Sequence, residues 1–143
     1  MAMTMHVDIV SAEEEIFSGQ AEMLVASAVN GELGIMPRHT PLLTQLKPGE
    51  VRLKIAEDKD DLFYFISGGI LEVQPHVVTV LADTVVRSKD FDEAAALKAK
   101  QQAEAHISNS TDTVEQAAAQ AELMLAIAQL DAIKKFRSNK RGS

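Results

Sequence analysis

Residues 77–107 read VVTVLADTVVRSKDFDEAAALKAKQQAEAHI, and a change of rhythm inside this stretch decides the fold. Val77-Val78-Thr79-Val80-Leu81 has the character of a short strand. The character changes at Ser88-Lys89-Asp90. Asp90 followed by Glu93 has the form of a capping box, which predicts a helix start there. Phe91, Ala95, Ala99, Ala103 and Ile107 then recur every four residues along a helix.

Upstream of this junction the chain reads as β. Met5, Val7 and Ile9 alternate with His6 and Asp8, a period of two. Met23-Leu24-Val25-Ala26 is a short apolar run, and Val51, Leu53 and Ile55 alternate with Arg52 and Lys54. Leu62 to Ile66 (LFYFI) is apolar throughout, as in a strand buried on both faces. Ile70-Leu71-Glu72-Val73 follows. Ser18-Gly19, Asn30-Gly31, Gly34, Pro37, Pro41, Pro48-Gly49, Ser67-Gly68-Gly69 and Pro75 supply turn chemistry at short intervals. Many short strands without intervening helices predict a sandwich or barrel over residues 1–88.

Downstream, Ser108 to Thr113 (SNSTDT) is a polar break, with Asp112 or Thr113 as the next N-cap. A second helix is expected to run to about Phe136. Thirteen Ala residues fall between 91 and 136, which lets two antiparallel helices approach closely as a hairpin over residues 89–143. In the second helix Val114, Ala118, Ala121, Leu125, Ala128 and Ala132 form one seam. Leu123, Ile127 and Leu130 fall on roughly the opposite side. Two stripes admit two readings. The helix sits between the first helix and the sandwich and buries both, or one face serves a second partner in another conformation.

Composition narrows the function classes. The chain has 143 residues, 46% of them hydrophobic, enough to build a core. Only 4% are aromatic and the net charge is −7, which argues against stacking on or neutralising a nucleic acid. The charge is uneven. Residues 1–133 carry 9 basic against 21 acidic residues, whereas Lys134, Lys135, Arg137, Lys140 and Arg141 form a +5 tail. Such polarity points to an electrostatic contact made by the tail. The absence of Cys excludes disulfides and thiolate chemistry. The N-terminus lacks the regions of a signal peptide, and no apolar run approaches the ~20 residues of a membrane span. Membrane association is therefore expected only through a partner.

No catalytic constellation is visible. Neither common phosphate cradle occurs. Ser67-Gly68-Gly69 lies between strand-like runs and reads as a hairpin turn. His6, His39, His76 and His106 are scattered without ligand spacing. His6 and Asp8 lie on a solvated strand with no G-x-S-x-G nearby. Glu13-Glu14-Glu15 reads as a solvated acidic turn.

Three segments carry a resemblance. Gly31-Glu32-Leu33-Gly34-Ile35-Met36-Pro37-Arg38-His39-Thr40-Pro41-Leu42-Leu43-Thr44 closely resembles the G-E-L-G-I-x-P-G-H-A-P-L-L-T segment of F-type ATP synthase epsilon subunits. Ser67 to Val73 with Val78 to Asp83, and Asp8 to Gly19, are similar to that family's other signatures. The resemblance covers the whole chain in order and implies a β-sandwich followed by an α-helical hairpin. It implies a non-catalytic central-stalk subunit, without a cofactor of its own, at the cytoplasmic face of a bacterial inner membrane. The implied partners are the gamma subunit, the c-ring and, when the hairpin extends, the alpha/beta catalytic head. Glu32, Arg38 and His39 would meet the ring's polar loops. Lys134, Lys135, Arg137, Lys140 and Arg141 would meet the head, where the extended hairpin restrains ATP hydrolysis.

Two departures from the family's pattern stand out. Arg38 occupies a position that is usually Gly, and a positive φ there would strain it. Some relatives bind ATP through [I/L]-D-x-x-R-A. Here the segment is Phe91-Asp92-Glu93-Ala94-Ala95-Ala96, so Asp92 and Ala96 remain while Ala95 replaces the Arg. The alternative functions are a free-standing ATP-sensing or interaction module, which the missing arginine disfavours, and a small β-sandwich enzyme.

Overall fold

Strict alternation in the first strand, β1 (Met5–Ser11), buries Met5, Val7 and Ile9 and turns His6, Asp8 and Val10 outward. The computed structural model describes residues 2–142, with side chains for 2–139. Eight further strands follow: β2 (Glu15–Ala21), β3 (Met23–Ala28), β4 (Gly31–Ile35), β5 (Leu42–Lys54), β6 (Leu62–Ile66), β7 (Gly69–Val73), β8 (Val77–Ala82) and β9 (Val85–Arg87). Two helices, α1 (Glu93–Asn109) and α2 (Thr113–Gly142), complete the chain. The chain divides into two compact units at Ser88/Lys89, a β-sandwich and a helical hairpin.

The sandwich closes through one long strand. Residues 42–46 of β5 pair with β7, in the layer β2-β1-β8-β7. Residues 49–54 pair with β6 and β3, in the layer with β4 and β9, and Leu46, which pairs with Gly69 of β7, also meets Ala28 of β3. The transfer falls at Lys47-Pro48-Gly49. The expected turn at Pro48-Gly49 is thus absent, and Pro48 sits within the strand where it changes sheets, a position that needs no ladder donor. Gly49 belongs there for space, because a Cβ would lie 3.1 Å from both Cβ and Oγ of Ser27. Opposite it, β3 shifts register between Ala26 and Ala28.

Three other expectations need correction. Ser18-Gly19 lies inside β2, not at a turn. Gly34 lies inside β4, where Val25 pairs with it. Ser67-Gly68-Gly69 is not a hairpin turn, since β6 and β7 are not hydrogen-bonded to each other and the segment carries the chain from one layer to the other. Gly69, at φ +156, is irreplaceable on steric grounds: a Cβ would stand 2.2 Å from the Leu81 carbonyl oxygen. The core between the layers includes Ile9, Leu24, Ile35, Leu46, Leu53 and Val80, all fully buried. In β6, Tyr64 and Ile66 join it, while Phe63 and Phe65 point to the other face and are buried as well.

The helical unit starts later than the capping pattern predicts. Ser88–Asp90 forms a 3-10 turn, and Asp92 is the N-cap, its carboxylate accepting from the Ala95 N–H at 3.1 Å. The second cap is Asp112, whose Oδ1 accepts from the Val114 N–H at 2.9 Å. The helices pack against each other. Their buried alanines recur at sevens, Ala96 and Ala103 on α1 and Ala119 and Ala126 on α2, with Ile133 continuing the series. A seven-residue spacing drifts only about 20° around a helix, whereas successive fours drift about 40° at each step. The fourfold row on α1 therefore leaves its face, and Ala95 and Ala99 are exposed. The seam expected on α2 is likewise displaced. Val114, Ala118, Ala121 and Leu125 are exposed, and of that set only Ala132 is buried. On the opposite side Leu123 and Leu130 are half-buried and Ile127 is exposed, so neither stripe is buried along its length. With so many alanines, several registers satisfy a 4-3 pattern equally well. Finally, α2 does not stop near Phe136 but continues to Gly142.

Candidate partner-contact surfaces

The first surface is the segment from β4 to β5. The β3–β4 hairpin turns through Val29-Asn30, with Ala28 paired to Gly31, and places Glu32 on an exposed edge of β4 opposite Ser27. Beyond Ile35, Met36-Pro37-Arg38-His39 forms a β-turn closed by the His39 N–H donating to the Met36 carbonyl at 3.2 Å. Pro37 fixes a negative φ at the second position, and Arg38 at the third has φ +67. This is the type II combination, which favours Gly at that site. Arg38 is the one non-glycine with positive φ among the described residues. The strain anticipated for an Arg at this position is therefore present. The His39 ring is fixed by Nδ1, 2.7 Å from the Thr40 carbonyl; a proton on Nδ1 makes that contact a hydrogen bond and leaves Nε2 as the acceptor.

A second surface was not singled out from the sequence. On the outer face of the β1-β8-β7-β5 layer, register aligns Val10, Leu81, Ile70 and Gln45 in one cross-strand row. Leu43 lies two residues away on the same face and is 71% exposed. An open groove of about 360 Å³ is lined by Leu43, Thr44, Gln45, Gly69, Ile70 and Asp83. Its signal in the sequence is a broken alternation, with Leu81, Ile70 and Leu43 apolar at positions that face away from the core. Contiguous exposed apolar side chains mark contact surfaces more often than isolated ones do.

Beside this row lies a polar cluster on β1 and β2. Ser18 Oγ donates to Asp8 Oδ1 at 2.7 Å, and His6 Nε2 approaches the same oxygen at 2.9 Å. The Ser18 hydroxyl first, then His6, holds the Asp8 carboxyl below its ordinary range, with partial burial opposing. The trio cannot work as a nucleophilic relay. Such a relay needs Ser and Asp on opposite ring nitrogens, and here both meet Nε2. Among the described residues no cluster of three His, Cys, Asp or Glu is arranged for a metal.

The helical unit holds the remaining candidates. Asp92 is engaged as the cap of α1, and Ala96 is buried in the hairpin. Lys134, Lys135 and Arg137 are exposed on α2. Arg137 pairs with Glu93 at the start of α1, and Phe91 and Phe136 meet edge to face at 5.5 Å beside them. The side chains of Lys140 and Arg141 lie outside the described residues; their backbones continue the helix. At the hairpin's other end, His106 faces Glu122 at 3.7 Å across an open cavity of about 360 Å³. No helix among the described residues is long and apolar enough to cross a membrane.

Comparison with known families covers both units. Residues 4–88 match the beta-sandwich domain of the ATP synthase delta/epsilon chain, and residues 89–134 match its long alpha-helix domain. The chain belongs to the ATP synthase delta/epsilon chain family. It is 66% identical over 137 residues to an ATP synthase epsilon chain of Nitrosococcus oceani, covering 96% of this chain and 97% of that one. It is 57% identical over 140 residues to an ATP synthase epsilon chain of Janthinobacterium sp., covering 98% and 100%. The fold of this delta/epsilon chain is shared with a chain in the Euglena gracilis mitochondrial ATP synthase structure (OSCP/F1/c-ring), with TM-score 0.82 and 23% identity over 91% of this chain and 81% of that one. A chain in the Tetrahymena thermophila mitochondrial ATP synthase central stalk/c-ring structure aligns with TM-score 0.67 and 14% identity, covering 92% and 98%.

Proposed function

We propose that this delta/epsilon-family chain is a rotor subunit of the central stalk of a bacterial, proton-translocating F-type ATP synthase. The sandwich grips the gamma subunit and rests on the c-ring, coupling ring rotation to ATP synthesis in the head. The hairpin restrains ATP hydrolysis when it extends toward the alpha/beta head. The subunit itself carries out no catalysis and lies at the cytoplasmic face of the membrane, held there by the complex.

The observation that supports this reading most directly is the exposed apolar surface of Leu81, Ile70 and Leu43, with half-buried Val10 beside it. A sheet whose core face is already filled has no intramolecular use for a second apolar face. The exposed apolar residues of α2 (Val114, Met124, Leu125 and Ile127) support the hairpin's role in the same way, because an alternative packing needs a stripe of its own. The test is co-purification of the tagged chain with gamma and a detergent-solubilised c-ring. A stable ternary complex is expected, and its loss on changing Ile70 and Leu81 to Asp would locate the gamma contact. A solitary monomer under the same conditions would overturn the reading.

A further inference from the structure

Residues 101–133 contain no Lys or Arg and five acids, Glu104, Asp112, Glu115, Glu122 and Asp131. His106 is the one side chain in this stretch that can take up a positive charge. It stands in the last turn of α1, with Nδ1 3.7 Å from Glu122 Oε2 on α2. The cavity between them has one further charged group in its lining, Glu115, while Asn109 and Ser110 are neutral. Glu115 accepts from the Ser110 hydroxyl at 3.1 Å and sits in the first turn of α2, where the helix dipole favours a negative charge. Glu122 is thus the carboxylate that faces the ring. At the hairpin's other end the helices are clasped by Glu93 and Arg137. Carboxylates and guanidinium groups ordinarily titrate outside the range from pH 5 to 8, whereas imidazole titrates within it. One clasp is constant across neutral pH, and the other needs a proton.

We infer that the His106–Glu122 pair is a proton-sensitive clasp, which favours the closed hairpin as pH falls and releases it as pH rises. The ion pair exists only when the ring is protonated and the two helices lie together. Each condition therefore favours the other, and acid stabilises closure. The last turn of α1 also favours a cation at His106, but it does so whether the hairpin is closed or open and adds nothing to the difference. The two side chains are 65% and 61% exposed, so solvent screens the pair and the proton biases the closed-to-open ratio by a factor of about 1.5–5. The functional step rests on the proposed function: acid relieves the restraint that the open hairpin places on ATP hydrolysis, and alkali strengthens it.

Two readouts test the clasp. In the free full-length chain, a double-mutant cycle over His106→Gln and Glu122→Gln is followed by denaturant titration of the helical signal. The coupling should amount to a factor of about 1.5–5 at pH 5.5 and fall to near unity at pH 8.5. A coupling that is the same at both pH values, or near unity at both, would overturn the inference. In the assembled complex, ATP hydrolysis by the parent relative to His106→Gln should rise from about 1 at pH 8.5 toward at most about fivefold at pH 5.5. Glu93→Gln is the control, because it loosens the other clasp at every pH in this range. A parent-to-His106→Gln ratio that stays flat with pH, while Glu93→Gln changes hydrolysis, would overturn the switch alone. No response to either variant would overturn the hairpin's part in the proposed function, and the regulatory step with it.

Discussion

The contacts at the open end of the hairpin make Glu93 the sharpest probe of how the helices are held. Glu93 pairs with Arg137, and Phe91 stacks edge to face on Phe136 at 86°. The ion pair is 41% and 53% exposed, so it contributes about 0.2–1 kcal/mol after solvent screening. The aromatic pair adds about 0.5–1.5 kcal/mol beyond its buried area. Opening the hairpin loses both. Glu93→Gln removes the charge while leaving all five tail cations in place. The ratio of closed to open hairpin should fall by up to about fivefold, and with Phe91→Leu as well by up to roughly 70-fold. If the open hairpin restrains the head, ATP hydrolysis by the assembled complex falls in Glu93→Gln at low salt and recovers toward the parent as salt rises. The structure also alters what the tail should do. Arg137 helps hold the hairpin closed, so replacing it weakens the closed state and the contact with the head at once. A variant with Lys134, Lys140 and Arg141 changed to Ala leaves the Glu93–Arg137 pair in place and should raise hydrolysis. A Glu93–Arg137 double-mutant cycle, read by thermal melting of the free chain, checks the pair itself. A coupling energy near zero, or unchanged hydrolysis in Glu93→Gln with the coupling intact, would refute the reasoning.

Residues 1–88 should fold alone and still bind gamma, because the chain divides into two units at Ser88/Lys89; circular dichroism and a pull-down check this, and an unfolded or non-binding fragment counts against it. The isolated chain should bind ATP with millimolar or poorer affinity, no better than about −4 kcal/mol, because Ala95 replaces the motif Arg and Asp92 is engaged as a cap; micromolar binding by calorimetry would require another donor set. Gly69→Ala should destabilise the sandwich by more than about 3 kcal/mol, since Cβ would overlap the Leu81 carbonyl and the backbone must move; a melting point within a few degrees of the parent would count against this. Asp8 has a lowered native pKa, so it stabilises the fold above its unfolded pKa of about 3.9, and that contribution is lost as pH falls through the native value. Asp8→Asn should therefore lower stability at pH 7, with the gap to the parent closing below pH 4 in denaturant titrations.

What the sequence made legible follows from how many signals agreed at each place. Period-two alternation in β1, the β-branched run of β8 and the unbroken LFYFI of β6 need only burial to explain them, and they appear where expected. The turns at Ser18-Gly19, Pro48-Gly49 and Ser67-Gly68-Gly69 misled because Gly and Pro have two physical uses. They reverse a chain, and they also let two backbones approach or a strand pass between sheets. Only the pairing partners of β5, β6 and β7 separate those uses, and pairing is a long-range property that local composition does not encode. The helices present the opposite difficulty. Alanine is small enough to sit at a helix interface and neutral enough to sit in water, so thirteen alanines write several seams at once. The seam the fold selects is the one that repeats at sevens and ends at the two Phe and the Glu93–Arg137 pair. The same redundancy leaves apolar side chains over on the exposed faces of α2, and on the sandwich the excess falls at Leu43, Ile70 and Leu81. Surplus apolar surface is where a sequence exceeds the needs of its own fold. In this chain the surplus lies on both units, as the proposed function requires of each.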